Sequence, residues 1–204
     1  MTMVIRPVTL TGTRVRMEPL DFERHFNGLL EIGLDPDLWK WTLGVCSTRQ
    51  ELREYLEEAL RQQGEGSALP FATVGIDSKK ILGCTRFGNI EPKHRRVEIG
   101  WTWVGKPYQR THVNTDAKYL MLKHAFETWG CRRVELKTNV LNKPSRDAMV
   151  RIGCKEEGIL RKHAISDAGV SRDTVYYSII DDEWPGVKAR LERMMAKPRV
   201  VKRA

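Results

Sequence analysis

The chain has 204 residues, 41% of them hydrophobic and 30% charged, enough to bury one sizeable core and close to the upper size of a single domain. No apolar run approaches the roughly 18 to 20 residues of a membrane-spanning helix. The start MTMVIRPVTLTGTRVRM mixes Arg with Thr where a secretory leader would carry an apolar core, so membrane insertion and secretion drop out as leading readings. The formal net charge of +9 favours an anionic partner: nucleic acid, a membrane surface or a phosphate-bearing cofactor.

Residues 11–20 alternate polar and apolar as a half-buried strand does, and Asp21 then opens a helical stretch to about Gly33. A loop with two tryptophans, LDPDLWKWTLGV, leads to Thr48-x-x-Glu51, a capping box that starts a helix ending near Gly64. Three short runs rich in β-formers follow, LPFATVGI, KILGCTRFGNI and RRVEIGWTWV, and read as an antiparallel meander. From about Thr111 to Trp129 the period is helical, with Val113, Ala117, Leu120, Met121 and Ala125 on one face and Gly130 as the stop. Residues 133–140 alternate again, a helix with Pro144 in its first turn spans about Lys143 to Ile152, and two strands near 154–165 and 172–181 enclose a turn at Asp167-Ala168-Gly169. A basic helix closes the chain. After Trp184, Lys188, Arg190, Arg193, Lys197, Arg199, Lys202 and Arg203 face only Glu192, which fits a solvated end, so residues 1–185 are expected to form the domain and 186–204 a basic helix and tail. The order β-α-α-β-β-β-α-β-α-β-β implies an α/β fold whose sheet is antiparallel at first and gains a parallel connection through the 111–129 helix.

Cys46, Cys84, Cys131 and Cys154 lie far apart, with no C-x-x-C pair and no His at metal-ligand spacing. They read as reduced, packed thiols of a cytoplasmic protein, with no metal site.

Three places could carry chemistry. The first is GWTWVGKPYQRTHVNTD, where a strand ends at Val104, a tight turn follows, and a helix begins among hydrogen-bonding residues. Free amides and partial positive charge at a helix start favour phosphate, and Arg110 adds charge; an ordinary solvated N-terminus capped by Thr111 or Asn114 is the competing reading. The second is Asn142-Lys143-Pro144-Ser145-Arg146 at a strand-to-helix junction, where ligands of open sheets bind, against Asn142 as a plain N-cap. The third is Glu98. Alternation puts Val97, Ile99, Trp101 and Trp103 on one face and Glu98, Gly100, Thr102 and Val104 on the other. A desolvated carboxylate in a central strand suits a general base, whereas an exposed Glu98 would pair with Arg96 or Lys106.

VEIGWTWV running into PYQRTHVNTDAKYLMLKHAFE, then NVLNKPSRDAMVRIGCKEEGILRKH, and the ending DTVYYSIIDDEWP together resemble the GNAT superfamily of N-acetyltransferases in its RimJ/RimL-type branch, over roughly residues 10–185. Asn142-x-x-Ser145 to Ile152-Gly153-Cys154 is the more specific part, with Cys154 where the family usually has an aromatic residue. In the family's Q/R-x-x-G-x-G/A loop Gln109 fits, while His112 and Asn114 replace the two glycines.

The resemblance implies a mixed, mostly antiparallel sheet of about seven strands flanked by helices. It also implies acetyl-CoA as cosubstrate, with no metal. Trp103 and Val104 would then pair with the pantetheine through their backbone; Gln109, Arg110, Thr111, His112, Val113, Asn114 and Thr115 would hold the pyrophosphate; and Asn142 and Ser145 would contact the pantetheine and thiol end. The acceptor would be an amine of a protein N-terminus or a small molecule, attacking the thioester directly. Glu98 is the candidate base, through water, and Ser145 the candidate proton donor to the thiolate, with Tyr176 or Tyr177 in reserve. Trp39 and Trp41 read as a lid over the acceptor, with core burial of one of them as the other reading. A homodimer stays open. A non-catalytic acyl-CoA binder and a basic RNA- or ribosome-binding module are the rival functions, the latter disfavoured because aromatics and basic residues are not interleaved on one strand.

Overall fold

The computed structural model describes residues 3–196, so the expected tail at 197–204 lies outside the described residues. Strand β1 (Leu10–Thr11) and strand β2 (Val15–Pro19) form a tight hairpin, splitting the single strand expected at 11–20. The Asp21 carboxylate accepts the Arg24 amide and starts helix α1 (Phe22–Gly33). Thr48 and Glu51 close the expected capping box on helix α2 (Arg49–Gly64). The meander follows as β3 (Leu69–Gly75), β4 (Ile81–Glu91) and β5 (Arg96–Val104).

Helix α3 begins at Val113, two residues later than the periodicity suggests, runs to Lys123, and passes into a π-helical turn at His124–Thr128. Gly130, at φ +62°, ends the stretch as expected. Strand β6 (Arg133–Asn139), helix α4 (Lys143–Ile152), strands β7 (Lys155–Ile165) and β8 (Ser171–Ile180), and helix α5 (Trp184–Ala196) complete the chain.

These strands form one eight-stranded sheet in the order β1-β2-β3-β4-β5-β6-β8-β7. Every neighbouring pair is antiparallel except β5 and β6, which run parallel across the α3 crossover. Their pairing covers only Arg96–Arg133, Val97–Val134 and Glu98–Glu135. Beyond Glu98 the two strands part, and the opening between them is the main feature the topology leaves for a ligand.

Apolar clusters cover both faces. One gathers Phe71, Phe87, Val97, Ile99, Met121 and Ile179 under α3 and α5; the other gathers Phe26, Leu29, Trp39, Leu52, Leu56 and Trp103 under α1 and α2. Trp184, Val187 and Leu191 of α5 are buried in the first cluster, so over 184–196 the basic helix is amphipathic and packed on the core rather than solvated. A boundary at residue 185 would cut through this packed helix. Its apolar stripe recurs at 184, 187 and 191, the spacing of one helix face, and the basic residues occupy the other.

Strand β5 departs from simple alternation. A bulge interrupts its pairing with β4 between Cys84 and Arg86, and Trp101 sits there at φ +49°. The extra residue reverses the faces beyond it. Trp103 therefore packs with α1 and α2 on the side of Glu98, and Val104 packs against the cluster that holds Val97 and Ile99, the reverse of the expected arrangement. Trp101 is held in place by Arg86, whose guanidinium lies 5.0 Å from the ring centroids of both Tyr55 and Trp101.

Candidate functional site

The opening between β5 and β6 widens into a cavity of about 920 Å³, a size that suits a small-molecule ligand. It runs from the α3 start, past the parted strands, to the loop between α1 and α2 and the β7–β8 turn.

At the α3 end, Gln109, Arg110, Thr111 and Asn114 face the cavity. The Gln109 amide donates to the Val104 carbonyl at 3.0 Å, taking an acceptor that a pantetheine was expected to use. The Thr111 hydroxyl donates to the Tyr108 carbonyl at 2.6 Å. Arg110 is exposed and held at φ +58°, a conformation that costs a side-chain-bearing residue about 1–2 kcal/mol. Val113 and Thr115 turn away. Val113 is buried in the core, and Thr115 accepts from Arg151 Nη1 at 3.0 Å, so only their backbone could meet a ligand. His112, half-buried, is the residue before the helix.

At the α4 start Asn142 is the N-cap. Its Oδ1 accepts the Ser145 amide at 3.2 Å, and its Nδ2 donates to Thr138 Oγ1 of β6 at 3.0 Å. Asn142 and Ser145 both line the cavity, so the capping and ligand-facing readings hold together. Gly153 ends α4 at φ +107°, with Val187 of α5 so close that a Cβ would meet it at 3.0 Å.

On β5, Glu98 is 3% exposed and lines the cavity. Neither partner expected for an exposed Glu98 is used: Arg96 pairs with Glu135, and Lys106 with Asp35 and Asp37. Instead Glu98 Oε2 meets Lys137 Nζ of β6 at 2.9 Å and accepts Asn89 Nδ2 at 2.6 Å. Burial works against the Lys137 charge, but the Glu98 carboxylate outweighs it and holds the ammonium above its ordinary range.

Lys118 stands on the apolar side of α3, almost fully buried, and its ammonium donates to Thr102 Oγ1 at 2.7 Å. Thr102 in turn shares a 2.6 Å hydrogen bond with Thr85. Burial pushes Lys118 down to about 7, against the opposing pull of Cys154 and Glu98. The sequence signal was available, since a lysine falls between Ala117 and Met121 on a face otherwise apolar. Arg172 of β8 also lines the cavity, reaching the Trp41 carbonyl at 3.5 Å, with burial lowering its guanidinium.

The two loop tryptophans separate. Trp39 is buried, donates to the Gly33 carbonyl at 2.7 Å and packs on Trp103 and Tyr55, so it belongs to the core while touching the cavity wall. Trp41 lines the cavity at partial exposure. The loop is tied across the cavity by the Asp167 amide, which donates to the Leu43 carbonyl at 2.9 Å. Of the reserve tyrosines, Tyr177 is buried against Arg146 and Glu156, and Tyr176 lies with Lys137 over its ring. The four cysteines are buried free thiols, and burial pushes Cys46, Cys131 and Cys154 up to about 12 and Cys84 to about 11. Among the described residues no three His, Cys, Asp or Glu side chains gather as metal ligands, and no helix is long and apolar enough to cross a membrane.

The family model described as an acetyltransferase (GNAT) domain matches residues 14–155, which spans β2, the parted strands, α3 and α4. The chain belongs to the GNAT acetyltransferase family. A GCN5-related N-acetyltransferase from Brucella melitensis has the same GNAT fold, with a TM-score of 0.87 and 30% identity over 94% of this chain and 86% of that one. RimJ of Mycobacterium smegmatis, solved with CoA-disulfide, shares the fold at a TM-score of 0.79 and 23% identity, covering 93% of this chain and 95% of its own. Among curated relatives, the Putative ribosomal N-acetyltransferase YdaF of Bacillus subtilis is 33% identical over 108 residues, 53% of this chain and 58% of its own length. The chain thus spans little more than half of that relative.

Proposed function

We propose that the protein is an acetyl-CoA-dependent N-acetyltransferase acting on a primary amine by direct attack on the thioester. The observation that carries this reading is the single cavity that joins a phosphate-favouring helix start to a buried carboxylate through the gap between β5 and β6.

The residues present fit the cosubstrate. Arg110 and the positive end of the α3 dipole suit its phosphates. The unpaired edge of β5 beyond Glu98 suits an extended amide-bearing arm, and Asn142 and Ser145 stand where that arm would end. His112 and Asn114 add side chains where the family carries glycines, with Asn114 on the cavity side. Val104 offers less than expected, because Gln109 already occupies its carbonyl.

Bound there, acetyl-CoA supplies the activated acetyl carbonyl. The protein contributes placement, which can lower a bimolecular barrier by several kcal/mol, on the order of 7 to 11 in the best cases. Glu98 takes the proton that the attacking nitrogen sheds, and Ser145 offers a hydroxyl to the sulfur. Glu54 and Asp167 line the acceptor end of the cavity and offer carboxylates to a cationic acceptor. The name of the YdaF relative puts an amine of a ribosomal protein first among acceptors, with small-molecule amines next.

Calorimetry with CoA, followed by intact-mass analysis of a panel of peptides and amines incubated with enzyme and acetyl-CoA, tests the reading. Binding in the low- to mid-micromolar range and a mass gain of one acetyl group on an acceptor are expected. No heat and no thermal shift with millimolar CoA would overturn it, and CoA binding without transfer to any acceptor would leave the non-catalytic binder.

A further inference from the structure

Lys118 is an ionisable group of the cavity that has no task in acetyl transfer as described above. Lys118 rises from α3 into the gap between β5 and β6, where its ammonium reaches Thr102 on the parted side of β5. Placing a lysine head there is costly, because a nearly fully buried ammonium loses its hydration. Among the described residues no carboxylate forms an ion pair with it; Glu98, the nearest candidate on β5, is paired to Lys137 instead. A structural lysine would be expected to reach a carboxylate or the surface. This one ends beside a hydroxyl pair, Thr102 and Thr85, at the wall of the cavity.

Resting on the acetyl-transfer reading, we propose that Lys118 is a catalytic residue that protonates the departing sulfur. As the carbon–sulfur bond breaks, the electron pair leaves on sulfur and the Lys118 ammonium gives its proton to that thiolate. The amine of Lys118 is recharged by a proton shed from the attacking nitrogen and relayed through Glu98 or solvent. Amine plus thioester thus gives amide plus thiol, and the lysine ends as it began. Ser145 keeps the role of orienting the sulfur, since an alcohol is a far weaker acid than an ammonium.

The direction of transfer is favourable. Burial holds Lys118 at about 7, and an ordinary thiol titrates near 8.5, so the thiolate is the stronger base of the two. The charged and titratable groups around it are Glu98 on β5, Lys137 on β6, Arg172 on β8 and Cys154 before β7, with Asp116 on its own helix bound to Arg14. Cys154 is pushed up to about 12 and stays a thiol, and Glu98 is balanced by Lys137, so neither removes the charge that Lys118 carries.

The first readout follows the sulfur directly and needs no acceptor, and turnover is then read with an acceptor found by the mass analysis. CoA is titrated with pH on the protein while thiolate absorbance is followed, with desulfo-CoA as the blank, for wild type, Lys118→Met and Lys118→Arg. Lys118 and the bound thiol titrate as a coupled pair, so thiolate should first appear at lower pH in wild type than in Lys118→Met, and the permanent cation of Lys118→Arg should raise the ionisation constant at least tenfold over Lys118→Met. Being unable to give up a proton, Lys118→Arg should nevertheless lose turnover along with the fall in rate above pH 7. Calorimetry of CoA on each variant shows that the site is folded and loaded, and Lys118→Gln stands in if the Met variant does not fold. Failure of wild type to bind CoA would overturn the acetyl-transfer reading itself. CoA bound equally well, with a thiol that titrates alike in wild type and Lys118→Met, would overturn the role of Lys118 and leave that reading in place.

Discussion

Glu98, in the last rung of the parallel β5–β6 pairing, meets Lys137 at 2.9 Å two residues beyond its rung partner Glu135, where the strands part. The pair binds the two strands together and holds a carboxylate at the cavity wall, so its structural and chemical roles must be separated by experiment. Glu98→Gln keeps the shape but cannot take a proton. Turnover should fall by about 100-fold or more with little change in CoA affinity. Lys137 also loses its carboxylate, and stability should drop by about 1–3 kcal/mol. Glu98→Gln combined with Lys137→Met should restore most of the melting temperature and none of the turnover. A double variant that recovers both would make Glu98 only a partner of Lys137.

Arg110 combines a strained backbone with an exposed charge beside the α3 start, and glycine separates the two. Arg110→Gly relieves the positive φ and should stabilise the fold by up to about 1 kcal/mol. The same change should weaken CoA binding by about 1–2 kcal/mol, roughly tenfold, as a phosphate loses a guanidinium in a partly exposed site. The loss should shrink as salt is raised. Calorimetry at low and high ionic strength checks this, and unchanged affinity at low salt would return Arg110 to the solvated surface.

Gly88 on β4 lies against the Trp101 ring, and a Cβ there would fall 2.4 Å from Trp101 Cζ3. Trp101 marks the bulge that turns Trp103 toward α1 and α2, so displacing the ring should disturb the strand that borders the cavity. Gly88→Ala should cost about 1–3 kcal/mol by overpacking and should weaken CoA binding as well. Denaturant melts and calorimetry measure the two effects. A Gly88→Ala protein with wild-type stability would show that the ring moves aside freely and does not fix the bulge.

The element order was legible because caps and periodicity agree locally. Thr48 with Glu51, Asn142 with Pro144, and Gly130 each mark a helix end by a hydrogen bond or backbone preference that needs no tertiary partner. The bulge at Trp101 was not legible, because RRVEIGWTWV alternates well enough to hide an extra residue that only the pairing with β4 reveals. The same reversal turns Trp103 to the face opposite the one that alternation predicts. In the site, Asn142, Ser145, Gln109 and Glu98 were visible from residue type at a strand or helix end. Lys137 and Arg172 were not, since a lysine or arginine in an alternating strand reads as solvated until its neighbour across the sheet is known. Lys118 was readable in principle as a charge on an apolar face. For Trp39 and Trp41, nothing in the loop composition told which ring would be buried.

The buried Lys118 also predicts how stability changes with pH. Its folded value near 7 lies below the ordinary lysine value of about 10.4. Between these limits the unfolded chain binds a proton that the folded chain has released, so stability rises with pH, by at most about 1.4 kcal/mol per unit. The four buried thiols act in the opposite sense. They are held up at about 11 to 12, so above the ordinary thiol value near 8.5 the unfolded chain releases protons that the folded chain keeps, and stability falls. His124, lowered by burial, removes stability only as pH falls below about 6.5, where the unfolded chain takes up its proton first. The window from about pH 7 to 8.5 therefore belongs mainly to Lys118. Urea denaturation across it should show a positive slope in wild type and a nearly flat line in Lys118→Met, with the variant more stable at pH 7, where the buried charge is still partly carried. Equal slopes in the two proteins would mean that Lys118 keeps an ordinary ammonium in the folded state and is reached by water.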